Sequence, residues 1–321
     1  MTKPISFSSH ILYFLLFIFL SSCNTGDQNK NDLIIFHAGS LTVPFKEIAE
    51  SFKKENPHIN LLMESAGSRK CARKITDLKR ECDIMASADY KVIDNLLIPD
   101  YANWNIKFAG NQMAIVYHAK SRKSDIINSN NWYNILLDED VAYGRSDPNS
   151  DPCGYRTVLV TELAENYYNQ PGLQEKLLQK DKNYMRPKEV DLIGLLESDV
   201  IDYLFLYRSV AEQHGLQYII LPDSLNLSDP NLADYYATAT VKISGKKPGE
   251  TITKKGEPMV YGVTIINDAP NKEAAIKFIN FLLSPENGMA IIEKNGQQSL
   301  VPSTTSTYSK IPIELKHFAL E

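Results

Sequence analysis

The chain is 321 residues long and carries a formal charge of −5, with both signs mixed along its length. That balance argues against a nucleic-acid partner and for an ordinary polar surface. A net-acidic chain that binds an anion must hold it with local dipoles, because its global field repels it.

Lys3 and the apolar run 11–20 (ILYFLLFIFL) read as the n- and h-regions of an export signal, too short to span a bilayer. Leu20-Ser21-Ser22-Cys23 resembles the bacterial lipobox. Residues 1–22 are therefore expected to be a lipoprotein signal, with Cys23 lipidated and residues 23–32 a polar, flexible tether. This places the protein in the cell envelope, anchored only by lipid and facing the periplasm or the exterior. Beyond Asp32 no apolar run reaches membrane-spanning length. Roughly 290 residues remain, enough for two lobes.

Residues 33–36 (LIIF) predict a strand, followed by Gly39-Ser40 and then Leu41, Phe45, Ile48 and Phe52 at helical spacing, with Ser40 as the expected N-cap. Residues 59–63 predict a second strand, Ser65-Ala66-Gly67-Ser68 a turn, and residues 69–78 a short helix. Residues 83–86 read as another strand, and Val92, Leu96 and Leu97 mark the next helix. Strands alternating with helices imply a parallel sheet covered on both faces, with ligands beyond the carboxyl ends of the strands.

Residues 108–118 are a candidate crossover into a second lobe. That lobe would hold a helix at 132–137, a strand at 141–144, a helix after Pro152, a helix at 190–196 and a strand at 203–207. Residues 259–266 would cross back, and 274–283 would pack on the first lobe. The expected division is 33–116 with 259–321 for one lobe and 117–258 for the other, with a hinge and a closing cleft between them.

Two loops stand out. His37-Ala38-Gly39-Ser40 and Asp151-Pro152-Cys153-Gly154-Tyr155-Arg156 each follow an apolar run and open a helical segment. Helix N-termini carry unpaired N–H groups and partial positive charge, so two facing each other would trap a small oxyanion. Other motifs point elsewhere less well. Ser51 and Lys54 have the S-x-x-K spacing of penicillin-recognising enzymes, but they flank buried Phe52 and lack a K-T-G partner. Cys153 could serve as a thiol nucleophile, yet no local sequence marks His37 or His214 as its base. Zinc, EF-hand, dinucleotide and Walker patterns are missing. By composition alone Asp147 or Asp151 is a helix cap, Glu189 a first-turn acid, and Tyr207 a core residue with its hydroxyl at the rim. Of the three cysteines beyond the signal, Cys71 and Cys82 are the expected pair, although a straight helix would hold them beyond disulfide reach.

These loops occur in one order with Ala66-Gly67-Ser68, Leu97-Ile98-Pro99, Ser146-Asp147-Pro148-Asn149, Arg186-Pro187-Lys188-Glu189, Tyr207-Arg208-Ser209-Val210-Ala211 and Glu293-Lys294-Asn295-Gly296-Gln297. Together they resemble the tungstate/molybdate-binding proteins of ABC importers, in the branch first known from archaea, over residues 34–302. The resemblance implies a type 2 periplasmic-binding-protein fold of two α/β lobes, a non-enzymatic, monomeric role without cofactor, and permease and ATPase partners. It implies that Gly39, Ser40 and Ser68 donate to oxo groups, that Asp151, Pro152 and Cys153 supply the second-lobe loop, and that Glu189 and Tyr207 complete the pocket. It further implies that Asp151 and Glu189 are direct ligands of the molybdenum or tungsten centre, which reverses their composition-based reading. Two acids beside a dianion repel it by several kcal/mol at an effective dielectric of about 20. Only a centre that accepts further oxygens offsets this, which selects against sulfate. The segment between Tyr168 and Arg186 is shorter than in archaeal members. The alternatives are a binding protein for sulfate, phosphate or another oxyanion, and a surface hydrolase using Cys153.

Overall fold

Alternation along the first strand decides which helices cover the first sheet. Leu33 and Ile35 belong to one buried cluster, while Ile34 and Phe36 face another, so the strand is apolar on both faces as a covered sheet requires. The computed structural model describes residues 31–321. The expected signal and the lipidation at Cys23 lie outside the described residues. Among the described residues no helix is long and apolar enough to cross a membrane.

In chain order the first half runs β1 (Asp32–Ala38), α1 (Thr42–Glu55), β2 (Asn60–Ala66), α2 (Ser68–Thr76), β3 (Ile84–Ser87), α3 (Tyr90–Leu96) and β4 (Ile106–Gly110). Next come β5 (Met113–Tyr117), α4 (Trp132–Leu137), β6 (Tyr143–Ser146), α5 (Pro152–Tyr167), α6 (Leu173–Gln179), β7 (Met185–Arg186), α7 (Asp191–Glu197), β8 (Tyr203–Tyr207), α8 (Arg208–Gln213) and β9 (Gln217–Ile220). A hairpin of β10 (Thr240–Ser244) and β11 (Thr251–Lys255) precedes β12 (Val260–Ile265), α9 (Lys272–Leu283), α10 (Gly288–Lys294) and β13 (Gln298–Ser299).

Among the described residues the two large sheets are ordered β13-β4-β12-β3-β1-β2 and β7-β6-β8-β5-β9. Neither is wholly parallel, in contrast to the sequence expectation: β12 runs antiparallel to β3 and β4, and β5 antiparallel to β8 and β9. Two of the reversed strands, β12 and β5, are the ones that enter each sheet from the other lobe; the short edge strand β13 also runs antiparallel to β4. Residues 108–118 do not form one continuous strand. The chain leaves the first sheet after Gly110 and joins the second at Met113, so the change of sheet falls at Asn111-Gln112.

Each lobe is filled by aromatic packing. On the first, Phe52 meets Phe278 and Phe281 edge to face, binding α1 to α9. On the second, Trp132 and Tyr143 pack against Phe205 beside α5, which is buried on nearly all sides.

Cys71 and Cys82 are free, which corrects the expected disulfide. Both thiols sit in the core on the Phe36 face, and each is turned onto backbone carbonyls: Cys71 toward His37 (3.5 Å), Cys82 toward Ile84 (3.1 Å).

Candidate functional site

Asp151 sits where a strand has ended and α5 begins, and its carboxylate does two jobs. Oδ1 accepts from the Cys153 amide (3.3 Å), which makes Asp151 the N-cap with Pro152 at the first helical position. Oδ2 accepts from the backbone N–H of Glu189 (3.0 Å). The capping role expected for Asp151 is therefore real. It also engages the Cys153 N–H that the resemblance assigns to the anion.

Glu189 differs from its composition-based reading. The helix α7 starts at Asp191, so Glu189 precedes it and is no first-turn acid. Its side chain is fully buried, and neither carboxylate oxygen has a hydrogen-bond partner. A Cβ added to Gly39 would lie 2.9 Å from both of those oxygens. Only glycine lets the first lobe's loop approach so closely. Burial, then the charge of Asp151, pushes the Glu189 carboxyl well above its ordinary range. Asp151 is also raised, chiefly by burial.

Ser40 is not the N-cap. It lies in a tight turn, Gly39–Leu41, and α1 begins at Thr42. Its hydroxyl instead accepts from Tyr261 (2.9 Å), while Gln297 Nε2 donates to its carbonyl (3.4 Å). Ser68, the first residue of α2, accepts from the Ala88 amide (3.0 Å). The Ala88 carbonyl in turn accepts from Arg156 (2.8 Å), which also donates to the Tyr207 hydroxyl (2.9 Å). Tyr207 is wholly buried, so its hydroxyl is not at a rim as expected. Tyr207 and Tyr261 pack edge to face, which closes the ring of contacts between the lobes.

All eight residues singled out in the sequence therefore gather in one buried region where the lobes meet. Ser146 Oγ and Gln297 Oε1, both buried, share with Glu189 the lack of a partner. Such orphaned groups cost about 1–3 kcal/mol each, and four such atoms around one seam mark a place built to receive polar contacts. Sequence reasoning missed Arg156, Tyr261, Ser146 and Gln297. Arg156 stands inside a motif that was recognised, whereas nothing local distinguishes Tyr261.

Cys153 does not fit a nucleophile. Its thiol lies against the Phe205 carbonyl (3.6 Å), and burial pushes its pKa well up, where a reactive thiol needs it lowered. An open cleft of about 310 Å³ lies elsewhere, beside the crossing strands at Gly110, Asn111 and Met259. The charge on its wall, Arg208, is already paired with Glu212 (2.8 Å).

The model of the bacterial extracellular solute-binding protein family matches residues 33–298. The chain belongs to that family. An uncharacterized solute-binding protein of Petrotoga mobilis is 50% identical over 95% of both chains. The molybdate/tungstate-binding protein WtpA of Pyrococcus abyssi is 40% identical over 94% of this chain and 95% of its own. Among solved structures, the periplasmic molybdate-binding protein of Azotobacter vinelandii superposes with a TM-score of 0.61 at 18% identity, covering 84% of this chain and 99% of that one. The sulfate-binding protein SubI of Mycobacterium tuberculosis reaches 0.59 at 12% identity, over 84% and 87%. At such identities these likenesses speak for the fold. As a solute-binding protein the chain has the expected two-lobed periplasmic-binding-protein fold.

Proposed function

We propose that this solute-binding protein captures molybdate or tungstate between its lobes and delivers it to the permease and ATPase of an ABC importer. The observation that carries this reading is the fully buried Glu189 carboxylate, without a hydrogen-bond partner and tied through its backbone to Asp151. Relatives that are 40% identical and named molybdate/tungstate-binding support it. Two ionised acids facing one seam are a poor receptacle for sulfate, which they repel and whose centre accepts no further oxygen. A molybdenum or tungsten centre accepts extra oxygen ligands, and the acids then become its bonds.

In this reading Asp151 and Glu189 bind the metal centre from the second lobe. Gly39, Ser40 and Ser68 donate to oxo groups from the first, and Tyr207 closes the pocket. When Asp151 turns to the metal, the Cys153 N–H that it caps is released toward an oxo group, with Pro152 shaping the loop. The protein acts as a monomer without catalysis, lipid-anchored through Cys23 after removal of residues 1–22.

Calorimetric titration with tungstate, molybdate and sulfate tests the proposal. Wild-type protein should bind the first two and discriminate against sulfate. Glu189→Gln and Asp151→Asn should each lose about 2–5 kcal/mol of tungstate binding, or roughly thirtyfold to several thousandfold, and narrow the gap to sulfate. Unchanged tungstate affinity in both variants refutes direct coordination. Preference for sulfate or phosphate in the wild type would move the protein to the other oxyanion class.

A further inference from the structure

The β10/β11 hairpin belongs to the second lobe by chain position, yet it leans on first-lobe helices. Arg73 on α2 donates to the Gly245 carbonyl (3.1 Å), and the neighbouring buried Arg69 donates to the Ser244 carbonyl. Lys246, beyond the hairpin's first strand, pairs with Asp100.

Behind this contact, a line of charges crosses the seam. Lys254 on β11, with only 8% of its side chain exposed, pairs with Asp89, 165 positions away in the chain, which is 2% exposed and is the N-cap of α3. The hydroxyl of Tyr155 on α5 donates to the same carboxylate. Lys254 also stands 3.4 Å from Glu257, and Glu257 pairs with Lys91 on α3. From surface to interior the order is Lys91, Glu257, Lys254, Asp89, with alternating sign; the two ends belong to the first lobe and the two middle members to the second. None of the four is among the eight cleft residues. We infer that this chain of ion pairs is a clasp that holds the lobes shut and sets how slowly the captured anion leaves.

The physics of buried pairs suits a clasp. Desolvation offsets part of the attraction in a buried pair, so the intact clasp adds a modest net bias to closure and still lets the lobes part when water returns to both charges. Removing one partner is different. It leaves the other charge buried and uncompensated in the closed form alone, so closure is disfavoured while the separated lobes are not. Lys254 and Asp89 are thus positioning residues that act on the ligand through the lobes.

The inference rests on the proposed oxyanion function for its ligand arm only, so two readouts are combined: tungstate dissociation by stopped flow, and the radius of gyration of the ligand-free protein by small-angle scattering. Lys254→Met should raise the tungstate dissociation rate about tenfold or more, with association changed by less than about threefold. It should also enlarge the ligand-free protein, and Lys254→Arg should restore both readouts. Glu257→Gln, on the more exposed end, should shift both in the same direction by less; if Lys254→Met fails to fold, Glu257→Gln decides. Unchanged dissociation and unchanged size overturn the clasp. If wild-type protein does not bind tungstate, the proposed ligand falls, and the size comparison alone decides the clasp.

Discussion

The backbone N–H of Glu189 donates to Oδ2 of Asp151 at 3.0 Å, so one acid fixes the main chain of the other. Both carboxyls are raised, Asp151 by burial and Glu189 further, by burial and then by the charge of Asp151. Coordination to a metal centre requires both to be ionised. Binding should therefore release protons from the closed arrangement. The sign follows from linkage: a raised acid stabilises the closed, empty form below its ordinary value of 4.5, and that stability is lost as pH rises through the raised value. Calorimetry of tungstate binding at neutral pH, in two buffers of different ionisation enthalpy, should report net proton release that Glu189→Gln diminishes. Proton uptake on binding would contradict this account.

Gly39 offers a second test. Its added Cβ would meet Glu189 Oε1, Glu189 Oε2 and the Lys188 side chain, all at 2.9 Å. These belong to the opposite lobe, so the clash arises only on closure. Gly39→Ala should weaken tungstate binding at least about tenfold while leaving the melting temperature of the empty protein within a few degrees, because no intralobe contact is disturbed. An equal loss of fold stability would assign the glycine to folding instead.

What the sequence disclosed follows from range. The turn at Gly39-Ser40 and the cap at Asp151-Pro152 were legible because strand, turn and cap signals are local. Ser40 was misplaced by a few residues because a tight turn, Gly39–Leu41, comes between the strand and α1, and no side-chain cap marks the true start. Glu189 looked like a first-turn acid because it stands two positions ahead of Asp191, which holds that place. Lys254 and Asp89 are single charges in unremarkable segments, and only folding brings them together. The antiparallel crossing strands were hidden for the same reason, since an apolar run carries no sign of its direction.

His37 provides a pH test independent of the acids. Its Nδ1 donates to the Ala38 carbonyl (2.9 Å), its ring packs on Phe45, and burial lowers its pKa from 6.5 to about 4. A lowered histidine contributes stability above its unfolded value of 6.5 and loses it as pH falls toward 4, since the unfolded chain binds the extra proton first. The loss should amount to roughly 3 kcal/mol by the lower end of that window. Chemical denaturation of the empty protein at pH 7 and pH 4.5 should show the wild type losing about this much more stability than His37→Phe, a difference in which the opposite contribution of the raised acids cancels. A wild-type profile no steeper than the variant's would refute a buried neutral imidazole.

Cys153 separates a binding protein from a hydrolase. Its thiol faces the Phe205 carbonyl inside the second lobe, and its raised pKa keeps it protonated at neutral pH. What the proposed site would take from this residue is its backbone N–H, which alanine retains. Cys153→Ala should therefore keep tungstate affinity within about threefold, less than 1 kcal/mol, while costing roughly 1 kcal/mol of fold stability through lost packing. Thiol-directed reagents should leave the folded wild type unmodified and modify it only after denaturation. Ester hydrolysis by the wild type that disappears in Cys153→Ala would overturn this assignment, because a buried, protonated thiol cannot supply the attacking sulfur.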